Sequence, residues 1–230
     1  MARFINNIGS IYTNQPKRPL ERGCIMKITN IEPQKNKNRV NIFVDDLFAI
    51  GIDAELRYKF NLEIGMEVDD DFIKDVISAE EKNKAINYAL NLLSYRQRSE
   101  KEVYLSLKRK GFEENQIKNA IEYCKENNYL DDKLFAKSYI NDKLNLNKFG
   151  TERIKYELII KGISKEIVDR LLIVDSEEQY HMAKALAEKR LNTYKNDNKN
   201  ATYRKLSGFL QRKGYSYEII SKVMKEILKD

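Results

Sequence analysis

The sequence predicts a mainly α-helical protein: three tandem three-helix repeats form an elongated, curved array, and a small three-stranded antiparallel β unit precedes them. Three observations support this fold class. All three prolines lie before residue 34 of the 230. In the segment that begins near the last proline, apolar and polar residues alternate, which is typical of strands. Beyond residue 79, apolar residues recur with helical spacing, and a motif centred on glycine returns about every 50 residues.

Composition excludes several classes of protein. Hydrophobic residues make up 42% of the chain, enough for a core, and charged residues make up 33%, which favours a solvated surface. No apolar run approaches the ~18 residues of a membrane span, and the first residues are too broken by Asn and Gly for a signal peptide. We therefore expect a cytoplasmic protein that is not bound to a membrane. Cys24 and Cys124 lack CxxC spacing and are expected to be free thiols.

The positive charge belongs to the C-terminal two-thirds of the chain. Residues 1–78 hold 11 basic and 12 acidic side chains, which leaves 31 and 23 of the chain's 42 and 35 for residues 79–230, a net charge of +8. Such an excess favours a polyanionic partner, either nucleic acid or an acidic protein surface. The alternative is a solvated helical surface with surplus lysine.

The residues before position 80 divide into two segments. Residues 1–25 contain Pro, Asn and cations without a sustained period and are predicted to be a loose N-terminal extension. Residues 26–79 are predicted to be the β-rich unit, with strands at "MKITNI", "RVNIFV" and "LFAIGI". Asp45 and Asp46 make the tight turn before the third strand. A short helix follows Asp53 as its N-cap.

Three glycines mark an internal repeat in the rest of the chain. Gly111, Gly162 and Gly214 lie 51 and 52 residues apart, and each follows a lysine directly. Apolar residues recur eight and four positions before each glycine and one, six and ten positions after it. Units of about 50 residues bury too little surface alone and stack on their neighbours. The predicted helical repeats are residues 80–130, 131–175 and 176–230.

Each of these glycines is predicted to end a helix. Apolar residues eight and four positions earlier lie on one helix face. A glycine at the C′ position adopts the left-handed conformation that ends a helix, and a cation beside it complements the negative end of the helix dipole. We therefore interpret the lysine before each glycine as part of a helix cap. Capping of a helix does not require the further cations Lys108, Arg109 and Arg212.

Candidate catalytic and metal-binding residues have ordinary structural interpretations. His181 is the only histidine, which excludes sites that need several, and we interpret it as a partly exposed structural residue. The run Asp69–Asp71 could hold Mg²⁺, but contiguous carboxylates before an apolar pattern are typical of a helix N-terminus. Asp131 and Asp132 are likewise interpreted as an N-terminal cap. Since no glycine-rich phosphate loop is present, the sequence predicts a protein that is not an enzyme and has no metal or cofactor.

Four stretches of the helical part resemble the RecX family, small regulators of the RecA recombinase built from three tandem three-helix repeats. These are "YRQRSEKEVYLSLKRKGF", "NNYLDDKLFAKSYI", "GTERIKYELIIKGI" and "LSGFLQRKGYS". The resemblance runs from about Ala85 to Leu228 and includes an R-x-R-S-x-x-E motif from Arg96 and a Y-L-D-D-x-x-F-A motif from Tyr129. The β unit resembles the extra N-terminal region of longer members. The third repeat departs most, because it has no second Y-L-D-D.

The resemblance implies a partner for the basic excess. It implies that the array binds RecA filaments as a monomer, lies in the filament groove, and inhibits the filament's ATPase and strand exchange. The alternatives are a DNA-binding module that acts without RecA and a purely structural adaptor. The last helix of each repeat lacks a run of Arg, Asn or Gln suited to base edges. We therefore expect weak phosphate binding to single- or double-stranded DNA rather than sequence reading.

The predicted contacts with the partner or with nucleic acid are cations outside the apolar register. They lie on or beside the middle helix of each repeat, and their choice depends on charge and on the exposure inferred from spacing. They are Arg96, Arg98, Lys101, Lys108, Arg109, Arg153, Lys155, Arg204, Lys205 and Arg212.

Overall fold

The structure is a computed structural model that describes residues 25–194 and 197–228. The predicted N-terminal extension, residues 1–25, lies almost wholly outside the described residues, as does Cys24. Cys124 is buried and free, as predicted, and burial raises the pKa of its thiol.

The first of two compact units, which ends at Glu81, contains an antiparallel sheet and a short helix. Its elements are β1 (Met26–Pro33), β2 (Arg39–Val44), β3 (Leu47–Asp53), α1 (Ala54–Lys59) and β4 (Glu67–Val68). The strand order is β3-β2-β1-β4. The three predicted strands are present at the predicted places. The fourth was not predicted, because a strand of two residues shows no alternation in the sequence.

The alternation in β2 determines which side of the sheet is buried. Val40, Ile42 and Val44 are buried, and the residues between them are partly exposed. The chain then turns on Asp45 and Asp46, which have φ values of 47° and 60°. Two successive left-handed residues are typical of the tight hairpin turn whose twist matches that of the strands. The local pattern therefore sets both the register and the turn.

A buried ion pair joins the sheet to the following helix within this unit. The Glu80 side chain is only 1% exposed. One of its carboxylate oxygens accepts a hydrogen bond from the Arg39 guanidinium at 2.7 Å, and the other accepts from the Asp53 backbone N–H at 2.8 Å. The same guanidinium donates to the Gly51 carbonyl at 2.8 Å. Buried charges are tolerated when they are paired and hydrogen-bonded in this way.

The rest of the described chain is helical and forms the predicted three-helix repeats. The helices are α2 (Asp70–Tyr95), α3 (Glu100–Lys110), α4 (Glu114–Glu126), α5 (Asp132–Asn145), α6 (Thr151–Ile160), α7 (Lys165–Leu171), α8 (Ser176–Leu191), α9 (Lys199–Lys213) and α10 (Tyr217–Ile227). Helix α2 begins in the first unit and continues through residue 80 without a break. Its last part joins α3 and α4 in the first repeat. The other repeats are α5–α7 and α8–α10.

The repeated glycines end the middle helices, as predicted. Gly111, Gly162 and Gly214 have φ values of 95°, 91° and 90°, which place all three in the left-handed region. Ser164 and Ser216 then cap the helices that follow, because their side chains accept hydrogen bonds from backbone N–H groups of the first turn. The left-handed glycine is therefore common to all three turns, whereas in the first repeat Glu113 takes the cap position of the helix that follows.

Each repeat buries its own core in the predicted register. The buried side chains are Val103, Leu107, Ile117 and Ile121 in the first repeat, Ile154, Leu158, Ile163 and Val168 in the second, and Leu206, Leu210, Tyr215, Ile220 and Met224 in the third. Two positions of the register differ, since Phe112 and Leu172 are only partly buried.

Candidate interaction surface on the middle helices

The first two repeats meet where the start of α3 lies against the end of α6. The Ser99 hydroxyl, which caps α3, donates to the Lys161 carbonyl at 2.7 Å. The Lys101 ammonium donates to the Ile160 carbonyl at 2.9 Å. Both acceptors are carbonyls at a helix C-terminus, which have no partner within their own helix. The junction therefore places the positive end of one helix dipole against the negative end of the next.

The second and third repeats meet in the same way, where the start of α6 lies against the end of α9. The Gly150 N–H donates to the Lys213 carbonyl at 2.9 Å, and the Glu152 N–H donates to the Gly214 carbonyl at 3.2 Å. The Arg153 guanidinium donates to the Arg212 carbonyl at 2.9 Å. The middle helices α9, α6 and α3 thus follow one another end to end. We call these three helices the middle-helix row.

The lysines before Gly162 and Gly214 act across the two junctions. Lys161 donates to the Glu102 carboxylate of the first repeat at 2.6 Å, and Lys213 donates to the Asn147 carbonyl of the second repeat at 3.0 Å. Burial and the nearby charge of Arg153 lower the pKa of Lys213. The interpretation of these lysines as helix caps was therefore incomplete. Both still lie at a helix C-terminus, but their hydrogen bonds go to the neighbouring repeat.

The predicted contact residues before α3 have partners within the molecule. Arg96 forms an ion pair with Glu102 at 3.0 Å, and about half of its side chain remains exposed. Arg98 donates from Nε to the Leu92 carbonyl at 3.0 Å, near the end of α2. Arg98 therefore also contributes to the end of that helix.

Four further predicted contacts on the middle-helix row are engaged. Lys101 and Arg153 lie in the junctions, and the Arg153 guanidinium also lies 3.8 Å from the centre of the Phe149 ring. Lys155 and Lys205 form ion pairs with aspartates. The exposed ion pairs add little stability, because water screens them and the side chains lose freedom.

Lys108 is exposed and lies on α3 beside an aromatic ring. Its ammonium is 5.4 Å from the centre of the Tyr104 ring and 3.1 Å from its hydroxyl. The hydrogen bond with Tyr104 raises the pKa of Lys108, so the side chain stays charged. The side of the Lys108 ammonium that is turned away from the ring can bind an anion.

Three of the predicted contacts form no side-chain hydrogen bond or ion pair within residues 25–194 and 197–228. They are Arg109 on α3 and Arg204 and Arg212 on α9, and all three are exposed. A guanidinium binds carboxylates and phosphates through two parallel hydrogen bonds. These three arginines are therefore the members of the predicted set that are available to a partner without breaking an internal contact.

Asp69 and Asp131 have the capping roles that the sequence predicted. The Asp69 carboxylate accepts from the Phe72 N–H at 2.7 Å and caps α2, and Asp131 caps α5. His181 is exposed and lies beside Tyr180, with ring centres 5.3 Å apart. Among the described residues, no group of three or more His, Cys, Asp or Glu is placed to hold a metal ion.

Asp132 has a role that sequence reasoning missed. Its carboxylate accepts from the Glu100 N–H at 2.8 Å and so contributes to the first junction. Burial raises the pKa of this carboxyl, and the hydrogen bond from Glu100 opposes that shift. Nothing in the local pattern pointed to this contact, because the two residues are 32 positions apart.

Glu102 predicts a pH dependence of the first junction. Burial alone would raise its pKa, but the hydrogen bonds and charges of Lys161 and Arg96 outweigh this and hold the pKa below its ordinary value of 4.5. Such a carboxylate stabilises the fold above pH 4.5, and this contribution is lost as the pH falls through the folded-state pKa. We expect the stability difference between the wild type and Glu102→Gln, measured by urea unfolding, to shrink as the pH falls below 4.5.

The control for this measurement is Glu122→Gln, which changes an exposed carboxylate on α4 for which the structure describes no ion pair. Its stability difference from the wild type is expected to stay small at every pH. A Glu102→Gln difference that is independent of pH would contradict the role of the ionised carboxylate.

The chain matches family models along most of its length. The model described as "Regulatory protein RecX N-terminal domain" matches residues 26–69. The models of the first, second and third RecX three-helix domains match residues 85–124, 131–172 and 177–224. Within the described residues, no helix has the length and apolar character that crossing a membrane requires.

Curated relatives and solved structures agree with these matches. A "Regulatory protein RecX" of Clostridium perfringens (strain SM101 / Type A) is 41% identical over 87% of this chain and 96% of its own, and one of Clostridioides difficile (strain 630) is 39% identical over 87% and 95%. A crystal structure of regulatory protein RecX has a TM-score of 0.72 and 29% identity over 87% of this chain and 99% of its own. A structure of RecX from Lactobacillus salivarius has a TM-score of 0.58 and 33% identity over 65% and 97%. The chain belongs to the RecX family of regulatory proteins.

Proposed function

We propose that this protein binds RecA recombinase filaments in the filament groove and inhibits their ATPase and strand exchange. The single observation on which the proposal depends is the middle-helix row, which is found here in a chain of the RecX family. The row joins three helices end to end through the two junctions, and it holds three arginines for which the structure describes no internal partner. A filament groove is long and follows DNA phosphates, so a basic row can contact it at several points.

The proposed contact residues differ in role. Arg109, Arg204 and Arg212 form direct bonds with the partner, because no described internal contact opposes it. The remaining candidates contribute to the positive field of the row, and several of them also hold the junctions in place. They are Arg96, Arg98, Lys101, Lys108, Arg153, Lys155 and Lys205.

DNA binding in this proposal is weak and reads no sequence. The helices that follow the glycine turns bury residues such as Ile117, Val168 and Ile220 against their own repeat. A recognition helix instead presents polar side chains to base edges. Exposed arginines bind phosphates of either single- or double-stranded DNA, and this adds to RecA binding without replacing it. In this proposal the protein acts in the cytoplasm as a monomer and is a regulator rather than an enzyme.

The direct test is binding to RecA filaments assembled on single-stranded DNA. We expect the triple variant Arg109→Gln, Arg204→Gln, Arg212→Gln to bind about tenfold more weakly than the wild type, a loss of about 1.4 kcal/mol. The salt dependence of binding is expected to flatten, because fewer counterions are released. Co-sedimentation with the filaments at several salt concentrations measures both effects.

The matched control removes the same charge away from the middle-helix row. Lys118, Lys137 and Lys189 are exposed, and their side chains make no hydrogen bond or ion pair in the part of the chain that the structure describes. Their joint replacement by glutamine is expected to leave filament binding close to wild type. Equal losses in both triple variants would mean that total charge, and not the row, determines binding. Undiminished binding of the arginine variant would reject these three contacts.

A further inference from the structure

Among the three repeated glycine turns, the turn at Gly111 is the one that no described residue of a neighbouring repeat covers. At Gly162, an added Cβ would lie 2.6 Å from the Lys101 Cβ, and at Gly214 it would lie 2.2 Å from the Arg153 Cβ. Both turns are therefore covered by the start of the preceding repeat's middle helix. At Gly111, no described atom lies within 4 Å of such a Cβ. The first repeat has no preceding repeat to cover its turn.

The residues beside Gly111 are uncovered too. Lys110 is exposed and forms no side-chain hydrogen bond or ion pair with a described residue, although its equivalents Lys161 and Lys213 reach across the junctions. The apolar residue after the glycine is 2% exposed in Ile163 and 3% in Tyr215. Its equivalent in the first repeat, Phe112, is only partly buried, and one of its contacts is the Tyr88 ring, with ring centres 5.8 Å apart. A cation and an aromatic ring thus lie together at an open helix C-terminus.

The two covered turns show what kind of group fits such a surface. In the first junction, a serine cap donates its hydroxyl to the carbonyl before the glycine, and a glutamate in the third helical position binds the lysine. In the second junction, a glycine cap donates its backbone N–H to the equivalent carbonyl. The covering group is therefore a helix N-terminus with a small cap. Its positive dipole end complements the free carbonyls of the turn.

Charge determines which helix N-terminus fits the Gly111 turn. Lys108, Arg109 and Lys110 lie in the last turn of α3, so an acidic first turn is favoured in the occupant. The equivalent free start within this chain is that of α9, which follows Asn198 and has no acidic residue in its first turn. A second copy that continued the row through the start of its α9 would therefore be a poor electrostatic match for this surface.

We propose that the Gly111 turn is a docking site for a partner protein, and that it binds the N-terminus of a partner helix with a small cap residue and an acidic first turn. The docked helix extends the middle-helix row by one member. Its cap donates to the carbonyls at the end of α3, and its glutamate or aspartate binds Lys110. The site takes any partner that offers this helix start, whether or not that partner is RecA.

The test uses the full-length protein and two labelled peptides of about 16 residues, long enough to form a helix on an alanine-based body. One begins Ser-Glu-Ala-Glu and the other begins Ser-Gln-Ala-Gln. We expect the acidic peptide to bind at least about tenfold more tightly than the neutral one in fluorescence anisotropy. Lys110→Glu is expected to remove this preference. Lys137→Glu, the same change at an exposed lysine on α5, is expected to retain it.

Gly111→Ala tests the shape of the site independently of charge. Its Cβ meets no described atom, so the fold persists with a lower melting temperature, which circular dichroism measures. The same Cβ covers the docking surface, and binding of the acidic peptide is expected to be lost. Binding that survives both Lys110→Glu and Gly111→Ala, or no binding to the wild type, would overturn the proposal. Concentration-dependent self-association that Lys110→Glu abolishes would assign the site to a second copy instead.

Discussion

Replacing Gly214 by alanine is expected to lower the free energy of unfolding by about 3–4 kcal/mol. A non-glycine residue at its φ of 90° costs about 1–2 kcal/mol. The added Cβ would also lie 2.2 Å from the Arg153 Cβ and 2.6 Å from the Arg153 backbone nitrogen, so the junction has to open. Opening weakens the backbone hydrogen bonds that Lys213 and Gly214 accept from the start of α6, each worth about 1 kcal/mol.

Two other glycines separate the contributions to this loss. Gly111 has the same left-handed backbone, but an added Cβ meets no described atom, so Gly111→Ala measures the backbone strain alone. Gly150 has an ordinary φ of −73°, but an added Cβ would lie 2.2 Å from the Gly214 carbonyl oxygen, so Gly150→Ala measures the clash, together with the poorer N-cap preference of alanine, without backbone strain. We expect each to cost about 1–2 kcal/mol in urea unfolding. A Gly214→Ala loss no larger than that of Gly111→Ala would show that the junction adapts without cost.

Replacing Glu80 by alanine is expected to cost about 3–5 kcal/mol in the unfolding of the first unit. The change leaves the Arg39 guanidinium without its carboxylate and the Asp53 N–H without its acceptor, in a place where Glu80 is 1% exposed. Removing one partner of a buried ion pair costs this much, because the remaining charge stays in a poorly solvated site.

A variant at an exposed carboxylate is the control for this loss of stability. Glu63 is exposed, and Glu63→Ala is expected to change the stability by less than about 0.5 kcal/mol. Loss of the sheet can be followed by hydrogen exchange of β2, whose amides are protected only while the unit is folded. Similar losses in Glu80→Ala and Glu63→Ala would show that the buried pair does not stabilise the sheet.

The fold was predictable because its determinants are local. Each glycine turn and the apolar positions around it lie within one short stretch of sequence. A glycine at the C′ position ends a helix wherever it occurs. The hairpin at Asp45 and Asp46 was predicted for the same reason. Strand β4 was missed because two residues carry no pattern, and the structure assigns it by its pairing with Met26 and Lys27.

The junctions were not predicted, because their partners are far apart in the sequence. Lys101 reaches Ile160, and Arg153 reaches Arg212, across the same separation of 59 residues. This interval equals one repeat plus about two turns of helix. Of the signals in the sequence, this spacing is the one that could have revealed the middle-helix row. Spacing alone also could not separate free cations from paired ones, since the carbonyls that engage Lys101 and Arg153 come from the neighbouring repeat.

The most direct measurement of the central claim is ATP hydrolysis by RecA on single-stranded DNA while this protein is titrated in. We expect hydrolysis to fall with increasing protein at a fixed DNA concentration, and we expect the Arg109, Arg204 and Arg212 triple variant to require about tenfold more protein for the same effect. Hydrolysis that stays at its starting rate while the protein is shown to bind the same DNA would contradict RecA regulation and would favour a DNA-binding module that acts without RecA.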